Sequence, residues 1–531
     1  MSFGKSIIVF LICAMGLLTA CSEETPVYDP TNIVGLVQGE IQGVETPNGA
    51  IMWQGVPYGV ISERWTVAMI AENWQGVRAP YAAPDCVSLG NPFKQDRPSV
   101  AEGSEDCLYL DISAPKDAVG SNLPVMVWIH GGGNSYGGPG DITLNRLVPD
   151  HDVILVALRY RTGPFGFLSS QALRDTGESV ANFGISDQIS ALKWIKENIA
   201  SFGGDAGRVT IFGESAGGRN VFGLLLSEQA KGLFHRAIIE SGASVTTSQE
   251  EAENYTEEIQ PGDHNSSKEV LIRMLIAASI ASDRDDAKEW IANTPSTEQA
   301  AFMRDLSADE ILNAYKDTPE ALNIALPNVI RDGITIPDTD PLILLAEANY
   351  NHVPTIMGTN RDEVRLYQIF DPTFVDVDFI GRPVAKNMAL YQRAAYYGSQ
   401  AWKIRGVDLP ISLMRENHEA TLYAYRFDWD EQADPMWVDL PNLLGASHAQ
   451  EISFVLGQFE KRDFPTNHYR DEDSERLKLS AGMMSYWAAF ARDGMPGVGL
   501  NGEMPPWAEW PTIERAGPTM MGFDTLSGGG I

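Results

Sequence analysis

Residues 209–226 read VTIFGESAGGRNVFGLLL. The first four, VTIF, have the short apolar and β-branched pattern of a buried strand, and from Ala216 onward the pattern is helical. Between them lies Gly213-Glu214-Ser215-Ala216-Gly217. A strand that turns this abruptly into a helix needs small residues on both sides of the serine. The turn then presents Ser215 at the helix N-terminus, where the partial positive charge favours a developing anion. The chain carries a second match to the same spacing, Gly133-Asn134-Ser135-Tyr136-Gly137. That one also follows a strand-like run, but what comes next is YGGPGD (136–141), which cannot be a helix. Context therefore selects Ser215 as the candidate nucleophile and leaves Ser135 as a loop residue.

Upstream, VMVWI (125–129) and VILVAL (153–158) are continuous apolar runs, as expected of strands buried on both faces of a mostly parallel sheet. A helical pattern covers 185–200, between these runs and VTIF. Strands alternating with helices predict a doubly wound α/β core. Residues 249–327 read as successive helices without strand signals, and 380–425 look similar. Both are expected to be insertions that build a substrate pocket.

VMVWI runs directly into His130-Gly131-Gly132-Gly133. Glycines after a buried strand can bring bare backbone N–H groups close to a negatively charged oxygen, where a side chain would block the approach. His130 is itself a possible base, but it precedes the serine, the wrong chain order for this arrangement, and is read as structural.

The 531 residues contain 71 Asp and Glu against 39 Lys and Arg, a formal net charge of −32. Nucleic-acid binding needs a basic surface and is a poor reading. The acidity is spread along the chain, as a solvated acidic surface or a field that repels anionic substrates would have it. At the N-terminus, Lys5 is followed by an apolar run (7–18) too short to span a bilayer. It ends Leu18-Thr19-Ala20-Cys21, resembling the bacterial lipobox, which implies a signal over 1–20 and lipidation at Cys21; an ordinary signal peptide with a coincidental Cys is the alternative. Ser22 rather than Asp follows, favouring the outer membrane, and 21–32 are a polar, proline-containing tether. Export implies an oxidising compartment, in which Cys86 and Cys107, the cysteines left over, can pair.

Further motifs share the order of a known family. They are Trp53-Gln54-Gly55-Val56-Pro57-Tyr58-Gly59, Glu105-Asp106-Cys107-Leu108-Tyr109-Leu110, and Arg159-Tyr160-Arg161 with Gly166-Phe167-Leu168. Residues 182–188 and 202–217, and Ser485-Tyr486-Trp487 with Phe490-Ala491-Arg492, complete the set. The chain resembles the type B carboxylesterases, also called cholinesterase-like, over essentially all of 33–511. The resemblance implies a single α/β-hydrolase domain over 33–531, a mostly parallel doubly wound sheet with large helical insertions forming the substrate pocket. It implies a serine carboxylic-ester hydrolase with no metal or organic cofactor, taking a small-molecule ester, and a disulfide at Cys107.

By the same resemblance Glu363, in Gly358-Thr359-Asn360-Arg361-Asp362-Glu363, is the triad acid, with Asp362 its rival. His448, in Gly445-Ala446-Ser447-His448-Ala449-Gln450-Glu451, is the base. The required order of serine, acid, histidine leaves only His418, His448 and His468 after Glu363. The implied oxyanion donors are the N–H groups of Gly132, Gly133 and Ala216, and Glu214, Ser241 and Glu451 resemble positions supporting the triad. Three departures stand out. Val364 occupies a position that is usually Gly, Gly218-Arg219-Asn220 follows the elbow where smaller or apolar residues are common, and residues 87–106 contain no Trp, which disfavours choline esters. A non-catalytic adhesion relative, or an amidase or peptidase using the same residues, remain rival readings.

Overall fold

The computed structural model describes residues 32–90, 101–140, 142, 144–177, 180–316, 329–417, 421–433, 438–459, 469, 473–510 and 520–525. The signal-like segment, Cys21 and the tether up to residue 31 lie outside the described residues.

The central sheet has ten strands among the described residues. In chain order they are β1 (Val44–Glu45), β2 (Ala50–Pro57), β3 (Tyr109–Pro115), β4 (Leu123–Ile129), β5 (Ile154–Leu158), β6 (Gly204–Glu214), β7 (Arg236–Glu240), β8 (Thr355–Asn360), β9 (Leu422–Phe427) and β10 (Met521–Phe523). Across the sheet they lie in the order β10-β9-β8-β7-β6-β4-β5-β3-β2-β1. From β10 to β5 all neighbours are parallel. The β5–β3, β3–β2 and β2–β1 pairs are antiparallel.

The apolar run in β4 explains why both faces must be covered. Val125, Val127 and Ile129 enter one core with Ile189 and Leu192 of helix α1 (Phe183–Asn198) and Val221 and Leu225 of helix α2 (Ala216–Leu226). Met126 and Trp128, pointing the other way, enter a second core with Met483, Trp487 and Phe490 of the C-terminal helix Ser474–Asp493. Strand alternation with no polar face thus becomes a three-layer sandwich, and the doubly wound prediction stands.

Element boundaries shift slightly. The helix expected over 185–200 spans Phe183–Asn198 and tightens into a 3₁₀ turn, and the strand expected over 209–212 starts at Gly204. Helices such as Ser267–Ala277 and Arg284–Asn293 make up most of 249–316 as expected, and 317–327 lie outside the described residues. The helical reading of 380–425 needs correction. Pro383–Ala385 pairs with Val375–Val377 in a hairpin, and residues from Leu422 onward are β9, inside the main sheet. LYAYRF is short and almost wholly buried, so it has no alternation to separate it from a buried helix segment.

Candidate active site

Four chain segments reach the same edge of the sheet, at the carboxyl ends of the parallel strands β4, β6, β8 and β9, where open α/β sheets build their sites. After β6 the chain turns at Ser215, which has φ 59° and ψ −118°. Such a backbone costs on the order of 1–3 kcal/mol and persists only where the surroundings enforce it. Here the Ser215 N–H donates to Glu240 O at 2.9 Å, while Arg219 N–H donates to Ser215 O at 3.0 Å and starts α2. A Cβ on Gly217 would lie 2.0 Å from Ile129 O, so this elbow demands glycine there. Ser215 remains partly exposed.

Beyond β4, Gly132 and Gly133 adopt φ 94° and 65°. A Cβ on Gly131 would sit 3.2 Å from that of Ser215, so the glycine run and the elbow touch. Among the described residues, the N–H groups of Gly132, Gly133 and Ala216 donate to no protein acceptor. His130 anchors this loop: its Nδ1 lies 2.9 Å from Gly131 O, its ring stacks on Tyr160 at 4.3 Å, and burial pushes its pKa down to about 4. Ser135 is buried in the loop, its Oγ donating to Gly133 O at 3.2 Å.

Glu363 follows β8 directly. One carboxylate oxygen accepts from Thr359 Oγ1 and from the Asn360 N–H, each at 2.7 Å; the other lies 2.6 Å from His448 Nδ1. That contact makes Nδ1 the protonated ring nitrogen and turns Nε2 away from Glu363. Asp362, the rival acid, faces elsewhere. It pairs with Arg361 at 2.9 Å and Arg365 at 3.1 Å, and accepts from the Ala446 N–H at 3.1 Å, which ties the His448 loop to β8.

His448 Nε2 approaches Glu214 Oε1 to 3.1 Å, but off the hydrogen-bonding direction, so neither atom has a directed partner. The structure forms no hydrogen bond between Ser215 and His448; such contacts often tighten only when substrate binds. Burial lowers the His448 pKa, but the carboxylates of Glu214 and Glu363 outweigh it and hold the imidazole at about 9.

Below the cluster, Ser241 Oγ donates to Glu451 Oε1 at 2.7 Å, and Asn360 Nδ2 bridges Glu451 to Ser447 O. Burial and the neighbouring Glu363 push Glu451 up to about 7. Glu240, next to Glu214 in the sheet register, accepts from Trp487 Nε1 at 2.7 Å and is pushed up to about 8 by burial and by Glu451.

Several of these residues had no readable signal. Asn360 and Glu240 are polar residues at strand ends. Trp402, from helix α3 (Met388–Lys403), and Tyr367, in the short helix Arg365–Gln368, lie 4.8 and 5.7 Å from the His448 ring, and neither carries a local motif. Val364 is accommodated from α3 as well: a Cβ on Gly398 would press 3.0 Å from Val364 Cγ2, so glycine there offsets the bulk.

The carboxylesterase family profile matches residues 26–380 and 405–525. The chain belongs to the carboxylesterase family. It is 32% identical over 485 residues to the para-nitrobenzyl esterase of Bacillus subtilis, covering 87% of this chain and 90% of that one. With the human cocaine esterase it shares 31% over 533 residues, 91% and 86% of the two chains. A solved para-nitrobenzyl esterase superposes with a TM-score of 0.67 at 28% identity, covering 93% of this chain and 96% of that one. A Geobacillus stearothermophilus carboxylesterase superposes with 0.69 at 25% identity over the same shares. This carboxylesterase is thus a serine ester hydrolase of the α/β-hydrolase fold. Cys86 and Cys107 are disulfide-bonded, with their Cα atoms 5.0 Å apart.

Proposed function

We propose that Ser215, His448 and Glu363 carry out two-step acyl transfer on carboxylic esters. His448 Nε2 takes the Ser215 proton as Oγ attacks the ester carbonyl, and Glu363 holds the imidazole through Nδ1–H and stabilises the imidazolium. The tetrahedral oxyanion is received by the N–H groups of Gly132, Gly133 and Ala216, each worth on the order of 10²–10³ in rate. The imidazolium returns the proton to the departing alcohol, and water, activated by the same histidine, hydrolyses the acyl-enzyme. Glu214, Ser241 and Glu451 keep the imidazole in place and set its proton affinity.

The observation that carries this reading is the 2.6 Å contact between His448 Nδ1 and Glu363 beside the strained Ser215. Ser215→Ala is expected to lower kcat for a p-nitrophenyl ester by roughly 10⁴-fold or more and to abolish labelling by a fluorophosphonate. Ser135→Ala should still be labelled. Labelling of Ser135 in the intact chain would refute the assignment.

The carboxylesterase is further proposed to be exported and held at the membrane through lipid on Cys21, with residues 22–32 as spacer. The supporting observation is the apolar run 7–18 ending in Leu-Thr-Ala-Cys. Mass spectrometry of detergent-extracted protein should find an acylated Cys21 as the N-terminus; a soluble chain beginning elsewhere would contradict it.

A further inference from the structure

Helix α2 has eleven residues, and all but one are shut off from solvent. The exception is Arg219, one of the departures from the family pattern. Its partial exposure is shared by Gly132, Gly133, Ser215, Tyr367 and Trp402, the residues around the nucleophile. Otherwise the guanidinium is enclosed by protein, within electrostatic reach of Tyr367, which packs against His448, and of Tyr160, which supports the glycine loop through His130 O.

Among the described residues no carboxylate pairs with it, and its Nε is buried without a hydrogen-bond partner. An enclosed guanidinium normally has a carboxylate in its fork, because desolvating it alone is unfavourable. Glu214, Glu240, Glu363 and Glu451 have other neighbours, namely His448, Trp487, Thr359 and Ser241. Arg219 lies one helical turn beyond Ser215, about 6 Å along the axis. Helical side chains lean toward the N-terminus, which brings the guanidinium back toward the serine.

We propose that Arg219 is a specificity-determining residue that receives the free carboxylate of an anionic ester, such as a monoester of a dicarboxylic acid or an acylated hydroxy acid. The bound carboxylate, a few bonds from the scissile carbonyl, supplies the planar partner that the fork lacks and fixes the carbonyl against the glycine loop. The formal charge of −32 acts against anions at long range, but exposed charges are screened over about 8 Å at physiological salt. The inference rests on the assignment of Ser215 as nucleophile.

The test compares kcat/KM of the full chain for the mono(4-nitrobenzyl) ester of glutaric acid and for the uncharged 4-nitrobenzyl hexanoate. A second pair, 3-acetoxybutyrate and its methyl ester, places the charge on the alcohol side. Arg219→Met is expected to lower the charged-to-uncharged ratio at least tenfold in one pair, chiefly through KM, and Arg219→Lys to restore part of it. The pair that responds identifies the side on which the carboxylate sits. Free glutarate should compete with the uncharged ester in the wild type, and glutaramide should not, which keeps the idea testable even if Arg219→Met does not fold. The proposal is overturned if wild type shows neither ratio above that of Arg219→Lys nor competition by glutarate. It is also overturned if Arg219→Met shifts the pH profile of both esters alike at an unchanged ratio, since Arg219 then only balances the buried glutamates. Failure of Ser215→Ala to abolish hydrolysis of the uncharged ester would separately refute the nucleophile assignment.

Discussion

His448 sits between two carboxyl groups, Glu363 at Nδ1 and Glu214 at Nε2; burial pushes Glu214 itself well above the usual carboxylate range, and the pair sets the pH at which His448 is proposed to act. A base must be neutral to accept a proton. Because its pKa is raised to about 9, the imidazole loses its proton only well above the usual histidine range. The expected profile of kcat/KM for an uncharged ester therefore rises with pH, with the midpoint of its ascending limb above 6.5. Glu214→Gln removes a carboxylate that favours the imidazolium and should move that limb to lower pH; a limb that stays put or moves up would show that Glu214 does not act on His448. Asp362→Asn should leave the limb in place and instead loosen the His448 loop, because its partners are Arg361, Arg365 and the Ala446 N–H. Histidine and glutamate are common surface residues. Residue chemistry does not separate Glu363 from Asp362; only the motif resemblance favours Glu363, and the choice becomes physical when one faces imidazole and the other guanidinium.

The elbow and the glycine loop work as a pair of elements. Gly213 and Gly217 both lie against Ile129 O, which holds the start of α2 against the end of β4. Gly217→Ala would place a methyl 2.0 Å from that carbonyl. It should destabilise the fold by more than about 2 kcal/mol in a urea titration, besides losing activity. Gly132 needs a related argument. With φ 94° and a Cβ that would fall 2.1 Å from Tyr136 O, Gly132→Ala distorts the loop itself rather than merely narrowing the space beside the carbonyl. It should depress hydrolysis of primary and tertiary alcohol acetates together, and a selective loss of the tertiary ester would show that the loop absorbs the methyl. The sequence displayed both glycine runs but not which carbonyl each one touches.

At the scale of the whole molecule, the Cys86–Cys107 bond ties the segment before β3 to the front of the sheet across a separation of 21 residues. In the chain-entropy account a loop of this length contributes about 3 kcal/mol through the unfolded state. Cys107→Ala should lower the unfolding free energy by about that amount under oxidising conditions, and a reductant should bring wild type down to the variant. The family match itself is interrupted over 381–404, which includes all of α3 and with it Trp402, the ring packed on His448. The wall of the site is thus built partly from a segment that sets this carboxylesterase apart from the family pattern.

The sequence by itself determined the layered core and the turn at Ser215, because both are local. A continuous apolar strand has to be covered on two faces, and a serine between glycines at a strand-to-helix junction has few conformations open to it. The helical reading of 380–425 failed at β9, where burial on both faces removes the periodicity that separates strand from helix. Only the tertiary structure showed Glu363 rather than Asp362 meeting His448, three buried glutamates around the imidazole, and Arg219 without a carboxylate partner among the described residues. Those facts depend on strand ends far apart in sequence, such as 214, 363 and 448, meeting at one edge of a parallel sheet, and charge interactions among them exist only at the distances that packing imposes.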